Sequence, residues 1–223
     1  MPTQGPPPSD AYVRPRMRGW LHVYAFGVAI VGGVVLCIVA AAQGGWKPLV
    51  GCVVYATTMC GLFGTSALYH RRAWGRRGYA TMKRLDHAMI FLFIAGTYTP
   101  LCLLLLSEET APQLLTVVWG GALAGAALQT AWPGAPRWVA VPLYVALGWS
   151  AVAVLPDIQH RGGVATVLLI IAGGVIYSLG ALCYAFRWPN PWPRIFAYHE
   201  IFHATTVVAA ICHNVAVYFA LFA

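Results

Sequence analysis

The sequence predicts an all-α integral membrane protein, a bundle of seven transmembrane helices with its N-terminus in the cytoplasm. Three observations carry that expectation. Of 223 residues, 60% are hydrophobic and only 9% are charged, against about 25% charged in an ordinary soluble domain. The few charged residues cluster between uncharged runs long enough to span a bilayer. The basic residues fall almost entirely on every second connection between those runs. The first observation alone excludes a water-soluble globule, a disordered chain, a collagen-like chain and a disulfide scaffold.

A span needs about 20 apolar residues. The first run, between Arg18 and Lys47, holds 28 residues without Lys, Arg, Asp or Glu. The second, to Arg71, holds 23, and the third, from Asp86 to Glu108, holds 21. The fourth (Glu109 to Arg137) holds 27, the fifth (Arg137 to Asp157) 19 and the sixth (Arg161 to Arg187) 25. The seventh is the last 23 residues after Glu200. Strands of a membrane barrel would alternate over about ten residues, and these runs do not. A backbone in lipid must satisfy its own hydrogen bonds, so the runs are helices. Gly44–Gly45 with Pro48, Pro133–Gly134 with Pro136, Gly162–Gly163, and Pro189, Pro191 and Pro193 punctuate the chain between runs. Residues 1–15 hold Pro2, Pro6, Pro7, Pro8 and Asp10 and carry no cleavage pattern, so they are expected to be a flexible cytoplasmic tail and not a signal peptide. Residues 16–223 form one transmembrane domain.

Cytoplasmic loops collect Lys and Arg. With the N-terminus inside, the inner segments hold 12 of the 14 basic residues, leaving Lys47 and Arg161 outside. The C-terminus then faces out, and the expected location is the plasma membrane. The net charge of +8 follows from this topology, and the basic residues hug helix ends without the aromatics that nucleic-acid binding would use. Trp20, Trp46, Trp74, Trp138, Trp188 and Trp192 stand near helix ends as an aromatic belt. All six cysteines fall inside spans and no CxxC pair occurs, so neither a disulfide framework nor a thiolate zinc site is expected. Gly121 and Gly125 form a G-x-x-x-G pair suited to helix packing.

Ionisable groups in or beside a span are functional candidates. The assigned topology puts His70, Asp86, His199 and His203 from three segments at one membrane depth, on the cytoplasmic side. That sidedness rests on Lys and Arg alone. His199 and His203 are four apart and share a helical face; so do Ser66 and His70. Three His with an open fourth position is one pattern of a catalytic zinc, with Asp86 as partner or proton acceptor for its water. Ser66 either joins the site or bonds its own helix backbone. His87 points about 100° away from Asp86. It is read, with His22 and His160, as an interfacial or hydrogen-bonded residue, and so is His213, about 15 Å beyond His203. Residues 199–203 also match H-E-x-x-H, in which Glu200 would be the base of an intramembrane metalloprotease.

The segments Ser66-Ala67-Leu68-Tyr69-His70, Arg84 to Phe91, Ala95 to Pro100 and His199 to His203 together resemble the hemolysin III family, within the group of progestin and adiponectin receptors and the superfamily that contains alkaline ceramidases. The resemblance implies a seven-helix bundle with zinc near the cytoplasmic face. His70, His199 and His203 match the zinc ligands, Asp86 the residue holding the metal-bound water, and Ser66 the accompanying polar residue. The implied chemistry is hydrolysis of a lipid amide or ester, with a membrane lipid as the partner. The alternatives are a pore-forming, cytolytic or receptor-like protein with structural zinc, or the intramembrane protease.

Overall fold

In the computed structural model, residues 15–132 and 134–223 are described. The expected tail over 1–15 lies outside them but for Pro15. Seven α-helices follow one another: α1 (Trp20–Gln43), α2 (Trp46–Arg71), α3 (Arg76–Leu105), α4 (Thr110–Ala131), α5 (Arg137–Trp149), α6 (Leu155–Phe186) and α7 (Tyr198–Leu221). No named strand occurs among the described residues.

Six helical stretches are long and apolar enough to cross a membrane. Five are α1, α2, α3, α4 and α7; the sixth is the continuous run Arg137–Phe186 of 50 residues. The chain is thus an all-α membrane protein in which the fifth and sixth expected runs are joined. The break expected around residues 157–163 is divided. A 3₁₀ turn over Ser150–Val154 ends α5, and α6 starts at Leu155 and continues through Asp157 and Arg161. A carboxylate in a first turn favours the helix dipole, and Pro is tolerated there, so Pro156 and Asp157 start α6 and do not interrupt it. The true kink is at Gly163, with φ 77° and ψ 169°, a conformation open to glycine and strained for other residues.

The direction of the run follows from its contacts. It begins at Arg137, whose Nη1 donates to the Tyr184 carbonyl at 2.9 Å. Midway, Arg161 donates to the carbonyl of Leu106 just past α3 at 3.2 Å. By Tyr184 it has returned beside α7, near Arg137 and Tyr198. One end of the bundle therefore gathers the starts of α1, α3, α5 and α7 with the ends of α2, α4 and α6.

Helix α3 is central and touches α2, α4, α5, α6 and α7. Small residues allow these approaches. A Cβ on Gly51 of α2 would come within 2.8 Å of Pro100 in α3, and one on Gly125 of α4 would enter the Phe91 ring. Gly121 abuts Leu147, so the G-x-x-x-G pair seats α4 against α3 and α5 by close packing. Helix α1 is peripheral. Its buried residues, His22, Ala29, Gly33, Leu36 and Ala40, recur every three, four or seven positions as one stripe, while Val28, Val31 and Ile38 face outward.

Candidate metal centre

His70 lies in the last turn of α2, and His199 and His203 lie in the first two turns of α7. The start of α7 is held in place by Glu200. One carboxylate oxygen accepts the backbone N–H of Ala197 at 3.0 Å, a side chain in the first turn reaching back to satisfy an open helix donor. The other accepts from Arg18, and the pair is buried. The backbone N–H groups of Arg16 and Met17 donate to the carbonyls of Arg194 and Ile195 at 3.0 and 3.2 Å. The segment ahead of α1 is thereby stitched to the loop ahead of α7.

With α7 so fixed, the three imidazoles meet. The Nε2 atoms of His199 and His70 are 3.3 Å apart. Ring centroids are 4.7 Å apart for His199 and His203 and 5.0 Å for His70 with either. One donor nitrogen from each can be chosen so that all lie within 4.8 Å of one another. Two imidazole nitrogens on a tetrahedral zinc at about 2.0–2.1 Å lie about 3.3–3.4 Å apart, so the His70–His199 spacing suits such an ion. His70 and His203 are buried and His199 is half-buried.

Asp86 and Ser66 line the same cavity as the triad. Ser66, buried in α2, and Asp86 of α3 thus face one space. His87 also reaches this cavity, despite its 100° offset. Its Nδ1 is 2.8 Å from the Lys83 carbonyl and 3.6 Å from the Asp86 carboxylate. Glu200, the other carboxylate near the triad, is engaged by Arg18 and Ala197.

The cavity measures about 1530 Å³. From the triad it extends among apolar side chains including Ile94, Leu114, Val145 and Ile170 to Tyr177 and His213. His213 Nε2 lies 3.3 Å from the Ile170 carbonyl, apart from the triad. His160 is exposed at the opposite end of the bundle. Several lining groups carried no local signal in the sequence. Arg137 stacks 4.2 Å over the Tyr184 ring, and Tyr184 meets His199 edge-on at 5.5 Å. His22 lies flat against His203. These contacts join segments far apart in the chain, so no local spacing announces them. The six cysteines are all free thiols.

Comparison with known proteins gives a consistent answer. A family profile described as "Haemolysin-III related" matches residues 11–214. The chain is similar to the "Hemolysin-3 homolog" of Bacillus subtilis (strain 168), 30% identical over 172 residues, covering 77% of each chain. It is similar to "Hemolysin-3" of Bacillus cereus, 27% identical, covering 76% of this chain and 74% of the relative. A "Heptahelical transmembrane protein ADIPOR2" of Oryza sativa subsp. japonica is 29% identical, covering 64% of this chain and 69% of the relative. A profile that matches nearly the whole bundle, with a relative at 30% identity over three quarters of both lengths, means that this chain belongs to the haemolysin-III related family.

Proposed function

We propose that this protein is a zinc-dependent membrane hydrolase that cleaves a lipid amide or ester, with His70, His199 and His203 holding the ion near the cytoplasmic face. The observation that carries this reading is the convergence of three imidazoles at one end of a cavity of about 1530 Å³ whose remaining wall is largely apolar. Such a cavity suits a lipid, with its polar linkage at the histidines and its chain among Leu114, Val145 and Ile170. When bound, zinc supplies Lewis acidity and a water acidic near neutral pH. Asp86 takes up the proton of the attacking water and passes it to the leaving nitrogen or oxygen. Ser66, on the same cavity wall, is placed to donate its hydroxyl to the Asp86 carboxylate and orient it. The apolar wall keeps bulk water from the reacting bond. Glu200, engaged on both oxygens, stays outside the chemistry, which weighs against the protease reading of H-E-x-x-H.

The same reading takes seven crossings. Fifty helical residues at about 1.5 Å each would be roughly 75 Å long, more than twice the hydrocarbon core. The contact of Arg137 with Tyr184, and of Arg161 with Leu106 between them, supports a run that goes out and returns, and the rice relative is named heptahelical. The triad end carries Arg18, Arg71, Arg72, Arg76, Arg77, Lys83, Arg84, Arg137, Arg187 and Arg194, which supports a cytoplasmic position for that end and the N-terminus in a protein of the plasma membrane.

The test begins with the metal content of detergent-purified protein, wild type beside His70→Ala and His203→Ala. One zinc per chain, lost in both variants, is expected. Lipid-amide or ester turnover should then require Asp86 while zinc stays bound in Asp86→Asn. Wild type without metal overturns the reading. Bound zinc with no turnover, and vesicle lysis indifferent to Asp86, would make the protein a pore former or receptor with structural zinc.

A further inference from the structure

His22 opens α1, where an interfacial or hydrogen-bonded histidine was expected; it is only 3% exposed. Its ring lies parallel to that of His203, with centroids 3.9 Å apart and planes 6° apart. Phe63 of α2 meets it edge-on at 5.1 Å and 67°. Neither ring nitrogen makes a hydrogen bond of normal geometry among the described residues. The backbone polar group it faces is that of His203. His22 is not one of the three residues whose donor atoms converge. A ring stacked at van der Waals distance presents its face to its neighbour. Burying two polar nitrogens unpaired is costly, so packing alone would favour an apolar side chain here.

Three residues earlier, Gly19 lets the chain approach His70 closely. Gly19 has φ +83°, and a Cβ there would sit 2.5 Å from the Cβ of His70. Only a residue without a side chain lets the start of α1 close onto the last turn of α2. The chain entering α1 therefore touches two of the three imidazole-bearing residues.

We propose that His22 is a positioning residue of the metal centre, a plate that holds the ring plane of His203, on an α1 start that Gly19 allows to seat against His70. This rests on the zinc reading above. An imidazole free to turn about its own side-chain torsion must be ordered when it binds an ion. A ring stacked on its face orders it beforehand, as supporting partners of ligating histidines do elsewhere.

The experiment measures zinc affinity by chelator competition, and the visible absorption spectrum of the cobalt-substituted protein, for full-length wild type, His22→Ala and His22→Phe in detergent. His22→Ala should weaken metal binding about 10–100-fold and alter the cobalt bands. His22→Phe, which keeps a flat ring, should recover most of the affinity and the wild-type bands. Wild-type affinity and spectrum in His22→Ala overturn the proposal, and so does a His22→Phe as weak as His22→Ala. Should His22→Ala not fold, His22→Phe decides alone: affinity near wild type supports the proposal, and a loss of about tenfold or more overturns it. Wild type that binds no zinc overturns this proposal together with the zinc reading. Wild-type zinc with an indifferent His22→Ala overturns this proposal only.

Discussion

Each end of the bundle ties two segments together with one carboxylate–cation pair, and the pairs are built differently. At the histidine end, Arg18 ahead of α1 meets Glu200 in the first turn of α7, with 8% and 1% of the side chains exposed. At the far end, Lys47 of α2 meets Glu108 after α3, with 32% and 86% exposed. The chemistry is the same and the setting is not. A charge already buried cannot lose its partner without standing in a poor solvent, whereas an exposed one returns to water. Glu200 also caps α7 through Ala197, so removing it loosens the helix that carries two of the three histidines. The far end has no comparable dependence. The two ends thus differ: the one that carries the histidines is tightly bound and the other is loosely tied.

The sharpest challenge to that difference lies between the two carboxylates of the histidine end. Asp86→Asn should lower lipid turnover by about 10²–10⁴-fold with zinc content unchanged, measured as product release beside metal analysis. If Glu200→Gln instead abolishes turnover in a folded, zinc-loaded protein, the structural role given to Glu200 is wrong. Next in size, Glu200→Ala should destabilise the protein by about 3–5 kcal/mol, read from unfolding in detergent, because it strips a buried guanidinium of a partner. A third comparison uses two glycines of positive φ. At the far end, Gly163→Ala meets no neighbour within 4 Å; it should cost about 1–3 kcal/mol of backbone strain and leave zinc content alone. At the histidine end, Gly19→Ala adds the clash with His70 and should lower both stability and zinc content. Equal behaviour of the two glycines would remove the contrast. The smallest effect is at the exposed pair, where Glu108→Ala should change stability by about 0–1 kcal/mol, less still at high salt.

Most of the architecture was legible because lipid makes stringent demands. The ends of α1, α2 and α6 coincide with Gly44–Gly45, the basic cluster after His70 and the prolines after Arg187. The run from Arg137 to Phe186 was harder. Charges at Asp157 and Arg161 mark the far end of the bundle, but charges alone do not stop a helix, and the run is interrupted instead by the 3₁₀ turn over Ser150–Val154 and the kink at Gly163. For the candidate site, the spacing of His199 and His203 and the shared depth of His70 were visible, since both follow from helix period and topology. The partners that surround them were not. Arg18 already had a sufficient explanation in orientation, and its pairing with Glu200 joins residues 182 apart. His22 likewise reaches the histidines only through the packing of helices distant in sequence, and Tyr184 only through the way α6 packs on α7.

The stitching of the segment at Arg16–Arg18 to Arg194, Ile195 and Glu200 has a consequence for how the molecule is made. The segment ahead of α1 finds these partners only after six helices have followed it. A nascent chain halted after α6 would hold His22 and His70 without His199 and His203, so no shorter product can assemble the triad. The three histidines come together only once the start of α7 has joined the segment ahead of α1 and the end of α2.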